Sequence, residues 1–565
     1  MTFDGYPEGT PPVADLLVAR ADDDHPAIRM GERTWSWAET VAASAARARL
    51  LRTLGPLGPP HVGVLLGNEP EYLFWLGAAA LVGAVVVGIN PTRRGEALAG
   101  DVRRTDCRVL VTDAAGAALL EGLETGVPPD RVLRVDDAGY PDRVAAHAGS
   151  AVTVVAEARP GAADLFLLLF TSGTTGAPKA VRCTQGRLAS IAIRSADAYG
   201  YDRDDVAYCA MPLFHGNALM VLWGPTLAVG ATVALARRFS ASGFLPDVRR
   251  YGATTFTYVG KALAYVLATP PMDDDADCTL RRGFGTEASV ADHAAFQERF
   301  GCVLAEGYGS SEGGVAINRV PGTPEGSLGL PSEDVVVVDP ATGRECPRAV
   351  FDASGRLVNG GEAVGEIVNR SGPGRFEGYY DDPEATAERL RDGWYWTGDL
   401  AYRDADGWFW FAGRGGDWLR VDSENLTAGP IERVLVRFAD VAAVAVYGVP
   451  DPRSGDQVMA ALELLPGHAF DSDAFGAFLA AQRDLGTKWV PSFLRVTDAL
   501  PQTANGKVTK ASLRADGWWR GDEAVYRLRA APSGSTPAYD PLGPAEVEAL
   551  RDQMAAHGRL GLVAG

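Results

Sequence analysis

Nine consecutive residues, Thr171-Ser172-Gly173-Thr174-Thr175-Gly176-Ala177-Pro178-Lys179, bring four hydroxyls, two glycines and one cation together directly after the apolar run Leu165 to Phe170. Glycines admit an anion close to the backbone, exposed N–H groups and hydroxyls donate to its oxygens, and a lysine balances its charge. The pattern predicts a phosphate-handling loop entered from a buried strand, and through it the use of a nucleoside triphosphate. A Walker A loop places lysine directly after its second glycine, whereas two residues separate Gly176 from Lys179. A P-loop NTPase is therefore not indicated. The same residue types also form ordinary polar turns, so the reading needs support elsewhere in the chain.

The elements that must position this loop follow an α/β pattern. Short β-branched runs at His61 to Leu66, Ala84 to Ile89, Val109 to Thr112 and Val152 to Val155 alternate with stretches of helical period such as Trp37 to Leu54. Tyr72 to Ile89 is strongly apolar but punctuated by Gly77, Gly83 and Gly88, which reads as a buried helix passing into a strand, not a membrane span. An aromatic strand-like run from Gly407 to Phe411 precedes the glycine-rich Gly413 to Gly416, the best candidate domain boundary. Beyond it, Ile431 to Arg437 and Ser472 to Gln482 read as helices and Val441 to Val449 as a strand, in a small domain ending near Trp519. Ala530 to Pro541 reads as a loop or docked extension, and Pro544 to His557 as a short helix.

With 565 residues, 47% of them hydrophobic, the chain can bury more than one core. A formal charge of −19 leaves no basic surplus to release counterions from a nucleic-acid backbone, so no nucleic-acid partner is expected. The six cysteines, Cys107, Cys183, Cys209, Cys278, Cys302 and Cys346, show no Cys-x-x-Cys spacing, which argues against a zinc site or a disulfide framework. Met1 to Arg20 lacks the basic start and apolar run of an export signal. A cytoplasmic protein is expected.

Four further segments follow the loop in order: Tyr308-Gly309-Ser310-Ser311-Glu312, Tyr395-Trp396-Thr397-Gly398-Asp399, Gly413-Arg414-Gly415-Gly416-Asp417, and Pro501-Gln502-Thr503-Ala504-Asn505-Gly506-Lys507. With Thr171 to Lys179 they resemble the motifs of the adenylate-forming superfamily of acyl-CoA synthetases, luciferases and peptide-synthetase adenylation domains, across most of the chain. Tyr258-Val259-Gly260, and the tail with Ala524-Val525-Tyr526 and Tyr539-Asp540-Pro541-Leu542, resemble the fatty-acid-transport-protein, or very-long-chain acyl-CoA synthetase, branch, although Lys261 stands where that branch usually has Glu. The resemblance implies an α/β fold with a large multi-sheet N-terminal domain over residues 1–414 that binds ATP and the acid. A smaller, mobile α+β domain over 415–520 would carry the catalytic lysine, with a C-terminal extension over 521–565.

By the same resemblance, Thr171, Ser172, Gly173, Thr174, Thr175, Gly176 and Lys179 hold the β- and γ-phosphates of ATP, and Glu312 binds Mg²⁺. Tyr308 stacks on adenine beside Gly285-Thr286-Glu287, with Gly309, Ser310 and Ser311 completing the nucleotide site. Asp399 accepts the ribose hydroxyls, and Arg414 contacts ribose or phosphate. Lys507 places its ammonium between the attacking oxyanion and the α-phosphate. His215 stands near the carboxylate pocket, Tyr258 and Phe284 line the acid site, and Gly416 is the hinge about which the family alternates between two orientations.

Two departures stand out: Ser423-Glu424-Asn425 has serine where relatives have a glycine beside the CoA thiol, and Phe284 and Glu287 are bulky and charged in the strand that lines the acid pocket. The implied activity is ATP- and Mg²⁺-dependent adenylation of a small-molecule carboxylic acid, then thioester formation with CoA. The departures keep an alternative: CoA-independent transfer, such as a diazotase that activates nitrite and passes it to an aryl amine. Oligomeric state is left open.

Overall fold

The computed structural model describes residues 9–563, apart from 56–59, 150–159, 172–177, 287, 332–333, 354–356, 415–417, 422–423, 453–455, 483–484, 486–488, 503–507 and 530–535. The expected strand Val152 to Val155 lies outside the described residues. So do Ser172 to Gly176, Glu287, Gly416, Ser423 and Lys507 among the expected site residues.

Two large sheets form the first half of the chain. In one, the strands Val132–Arg134, Cys107–Thr112, His61–Leu65, Val85–Gly88, Leu165–Thr171 and Lys179–Thr184 lie side by side in that order. All neighbours are parallel except the last pair. The other has nine strands, whose parallel centre runs Val303–Gly309, Arg282–Thr286, Thr255–Val259, Val206–Cys209, Thr232–Leu235 and Pro26–Met30. Near-continuous apolar strands such as Val206–Cys209, buried at every position, are what a parallel sheet covered on both faces requires.

The expected apolar segment divides as its glycines suggest. Pro70–Val82 is a helix with proline in its first turn, ended by Gly83 in the left-handed region at φ 72°, and Val85–Gly88 follows as a strand. At 13 residues the helix spans about 20 Å, short of the about 30 Å of a bilayer core. Among the described residues no helix is long and apolar enough to cross a membrane. Trp37–Thr53 is a helix closed by a capping box, in which Ser36 Oγ accepts from Glu39 N and the Glu39 carboxylate accepts from Ser36 N. One core joins both sheets through these helices, with Val62, Val64 and Val86 of one sheet and Ala207, Cys209 and Val233 of the other packed around Tyr72, Trp75 and Leu76.

A third sheet, Val335–Val338, Gly365–Asn369, Trp394–Arg403 and Leu390–Arg391, with Phe409–Arg414 paired to Trp394–Arg403, leads to the expected boundary. Beyond it stands the small sheet: Val441–Pro450, Asp456–Leu464, Phe493–Thr497, Ala524–Leu528 and Tyr539–Pro541.

The last two strands revise the sequence reading. A small domain ending near Trp519 omits two of its five strands, and part of the expected loop Ala530 to Pro541 is the strand Tyr539–Pro541. Tyr539 is buried and its hydroxyl donates to Pro491 O at 2.9 Å. Arg495, 1% exposed, donates to the Glu523 carboxylate at 2.6 Å and to the carbonyls of Gly517 and Arg520, so the tail satisfies a guanidinium in the small domain's interior. The helix Pro544–Ala556 buries Leu550 and Met554 against Phe493, Leu513 and Trp518.

If the tail is part of this core, Met554→Ala leaves a cavity in it. We expect a loss of about 2–5 kcal/mol in the unfolding free energy of the transition that reports the small domain, measured by denaturant titration.

Candidate functional site

The hydroxyl- and glycine-rich run ending at Lys179 connects two antiparallel strands. Leu165–Thr171 and Lys179–Thr184 pair with Thr171 opposite Lys179, so the base of the loop is fixed although its tip lies outside the described residues. Pro178 is half-buried at the end of that connection. The second strand is laced to the segment Glu377 to Tyr380: Arg182 N donates to Gly378 O at 3.1 Å, Tyr380 N to Ala180 O at 2.8 Å, and Thr184 N and Oγ1 to the two Glu377 oxygens at 2.8 and 2.7 Å.

This lacing sets Lys179 beside Tyr379. The ammonium lies 5.4 Å from the Tyr379 ring centroid and 3.3 Å from the Glu388 carboxylate. Tyr379 donates its hydroxyl to Glu312 Oε1 at 3.0 Å, and Arg389 Nε donates to the same hydroxyl at 3.3 Å. Burial, then the charge of Glu312, pushes the Tyr379 phenol well above its ordinary range, so it remains a donor. Two expected residues from distant motifs, Lys179 and Glu312, are thus joined through a tyrosine that neither motif contains.

Glu312 is 7% exposed at the end of the turn after Val303–Gly309. The turn is gripped from behind. Fully buried Arg187 donates to the carbonyls of Ser311 and Arg182, Asn369 Nδ2 donates to Gly314 O at 2.9 Å, and Arg375 N donates to Gly313 O at 3.0 Å. Gly314 admits no side chain, because a Cβ there would stand 2.2 Å from the Tyr395 ring.

His215, half-buried, caps the short helix Gly216–Ala218 by accepting from Asn217 N at Nδ1, 3.3 Å. Its neighbour Gly216 abuts the same turn: a Cβ on Gly216 would be 3.1 Å from Ser311 Oγ. Asn68 fixes this segment, donating to Met211 O and accepting from Leu213 N, both at 2.9 Å.

At the other end of the turn, Tyr308 Oη donates to Asp399 Oδ2 at 2.6 Å. Tyr308, Gly309, Ser310 and Ser311 are therefore one continuous edge running from Asp399 to Glu312. Asp399 stands opposite Arg414 in the strand pair Trp394–Arg403 and Phe409–Arg414, and its neighbour Gly398, left-handed at φ 75°, donates its N–H to Glu366 Oε1 at 2.6 Å.

Gly285 and Thr286 end the strand next to Val303–Gly309. Gly285 is covered by Tyr258, whose ring would lie 2.4 Å from a Cβ at that position. Tyr258 and Phe284 are not brought together. In the parallel pairing Tyr258 stands beside Gly285 and Phe284 beside Thr257, and side chains alternate faces along a strand. Phe284 packs on Tyr199 at 4.4 Å, on the side of the core shared by the two large sheets. Tyr258 joins Phe256, Leu263 and Met211 around an apolar crevice on the opposite face. They cannot line one wall of a single acid pocket.

Tyr379, Arg187 and Asn68 escaped sequence reasoning. Their partners lie 67 residues away for the Tyr379–Glu312 bond, 124 for Arg187–Ser311 and 143 for Asn68–Met211, so no local spacing marks them.

A loop based at Lys179, a buried carboxylate beside it and a Tyr–Asp pair beyond form an elongated site with a cation and an anion at one end, which suits a nucleotide and its counter-ion. The AMP-binding enzyme family model matches residues 17–380, and the model of the AMP-binding enzyme C-terminal domain matches 430–507. The chain belongs to the AMP-binding enzyme family and is an enzyme of the adenylate-forming superfamily. It is 54% identical over 550 residues to the steroid-22-oyl-CoA synthetase of Rhodococcus jostii, covering 97% of this chain and 98% of the relative. It is 50% identical over 520 residues to a medium/long-chain-fatty-acid–CoA ligase of Mycobacterium marinum, covering 92% and 99%. The crystal structure of ATP-bound MatB from Rhodopseudomonas palustris matches with a TM-score of 0.74 at 26% identity, covering 89% of this chain and 98% of that one. The nitrite-activating alternative has no counterpart among these relatives.

Burial raises the Glu377 carboxyl to about 8, outweighing the bond from Thr184 N that favours its charge. Its folded value lies above the unfolded one, so folding favours the protonated form. The stability it contributes is full in acid below the ordinary value of 4.5 and is lost as pH rises through about 8. Glu377→Gln, which cannot ionise, is expected to remove that component of the decline. Thermal unfolding midpoints measured from pH 5 to pH 8.5 should fall less steeply in the variant.

Proposed function

We propose that this protein converts a large apolar carboxylic acid, a steroid side-chain acid first and a medium- or long-chain fatty acid second, into its CoA thioester. The observation that carries this reading is the end-to-end match to a steroid-22-oyl-CoA synthetase, together with a site in which Lys179, Glu312, Tyr308 and Asp399 lie along one edge. The fatty-acid reading rests on the 50% identity to a fatty-acid–CoA ligase.

The reaction has two steps. The substrate carboxylate attacks the α-phosphorus of ATP and pyrophosphate leaves, forming an acyl-adenylate. The CoA thiolate then attacks the acyl carbonyl, and AMP leaves as the thioester forms. In the first step charge accumulates between attacking and leaving oxygens, so the protein's task is to align and neutralise. Lys179 and the loop before it hold the terminal phosphates. Asp399 accepts the ribose hydroxyls, with Tyr308 fixing its carboxylate, and the Tyr308 face serves adenine. Lys507 brings an ammonium to the α-phosphate, and His215 orients the acid beside Ser311. Arg414 contacts ribose or phosphate.

Glu312 is suited to hold Mg²⁺. It is a single buried carboxylate, and among the described residues no group of three metal-ligating side chains stands together. Mg²⁺ typically takes one or two carboxylates and completes its shell with phosphate oxygens and water, and bound there it would supply charge neutralisation to the phosphates. In this reading residues 1–414 bind ATP and acid, Gly416 is the hinge, and the part beyond carries Lys507. Ser423 borders the path of the thiol. The enzyme works in the cytoplasm, consistent with six unpaired cysteines, five of them buried.

Lys507→Ala should lower acid-dependent ATP–pyrophosphate exchange at least about a hundredfold while leaving ATP binding in place. AMP release should require CoA for turnover with a steroid-22-oic acid and run slower with C8 to C16 fatty acids. Faster turnover with the fatty acids would invert the substrate order. CoA-independent AMP release with nitrite and an aryl amine would overturn the reading.

A further inference from the structure

Tyr265 lies on the helix Gly260–Leu267, which follows the strand Thr255–Val259 at the carboxyl end of the large parallel sheet. Ligands bind at that end in open α/β sheets. Glu463 lies on Asp456–Leu464, in the small sheet, and is 1% exposed. Its carboxylate accepts from Tyr265 Oη at 2.5 Å with one oxygen and from Leu500 N at 2.6 Å with the other. A buried carboxylate is costly unless hydrogen-bonded, and each of these bonds is charge-assisted.

Leu500 begins the segment that carries Lys507. Gln502 bridges Val508, and Thr509 N donates to Pro501 O at 2.8 Å, so the described residues on either side of 503–507 are paired with each other. Lys507 directly precedes Val508. One side chain therefore ties the root of the lysine loop, 37 residues away, to a helix of the large sheet 198 residues away. Neither residue belongs to any motif that marks the site.

We propose that Tyr265 and Glu463 are positioning residues for acyl-adenylate formation: they set the root of the Lys507 loop against the large sheet. The proposal rests on the reading that Lys507 carries adenylation. It predicts a defect in the first half-reaction alone, because in that reading Lys507 acts at the α-phosphate and not on the thiol.

The test uses the full-length Tyr265→Phe variant, which keeps the ring and removes only the hydroxyl. Three quantities are measured: ATP–pyrophosphate exchange with an accepted acid, thioester formation from supplied acyl-adenylate and CoA, and the thermal midpoint. The expected result is a fall of about tenfold in the exchange kcat, with little change in KM for ATP. Thioester formation should stay at the wild-type value, while the midpoint falls only by what one lost donor to a buried carboxylate costs. Glu463→Gln, which keeps an acceptor for Leu500 N, should show the same split. Equal losses in both half-reactions, or an unchanged exchange rate in both variants, would overturn the proposal. Lys507→Ala run alongside separates the two failures. If it retains exchange, the lysine assignment is wrong; if it loses exchange while Tyr265→Phe keeps it, only the positioning role is wrong.

Discussion

The Lys179–Glu312 end of the site depends on the Tyr379 side chain. Its hydroxyl donates to Glu312 and its ring faces the Lys179 ammonium, so one residue holds a carboxylate and a cation near each other without letting them collapse into an ion pair. Lys179 pairs instead with Glu388, whose side chain is 66% exposed. Such a contact is screened by water and contributes little, which leaves the ammonium available to a phosphate. Had Lys179 paired directly with buried Glu312, each group would be neutralised by the other and withdrawn from any ligand.

Everything behind this edge serves to hold it still. The Ser311 and Gly314 carbonyls are fixed by Arg187 and Asn369, and the His215 segment by Asn68. Arg187 and Asn68 reach from segments that follow strands of the six-stranded sheet and Asn369 from the third sheet, so the turn Gly309 to Gly314 sits where the layers meet. An active site built this way needs the complete large-domain core before its geometry exists, because no single hairpin or helix contains the parts.

The small domain follows a related logic. Its sheet is completed by the tail, whose Glu523 satisfies buried Arg495, and its lysine-bearing loop is rooted through Glu463 to the large sheet. Polar groups inside a small core have few routes to satisfaction, so the chain beyond Trp519 supplies structure instead of hanging from it.

Much was legible in the residues alone. The helix Trp37–Thr53, the division of the apolar segment at Gly83, and the strands around the loop all follow from apolar period, capping residues and glycines, which act over a few neighbours. The spacing of hydroxyls, glycines and charge marked the loop ending at Lys179, the resemblance to the adenylate-forming superfamily marked Glu312, Tyr308 and Asp399, and the structure brings those four along one edge. Only the tertiary structure decided which side chains join them. Tyr379 finds Glu312 across 67 residues, Arg187 finds Ser311 across 124, and Tyr265 finds Glu463 across 198. The opposed faces of Tyr258 and Phe284 depend on strand register, and the tail's strands on an open edge prepared by Phe493–Thr497. Local patterning specifies an element and its buried face, whereas a partner is specified by topology, which no window of the chain contains.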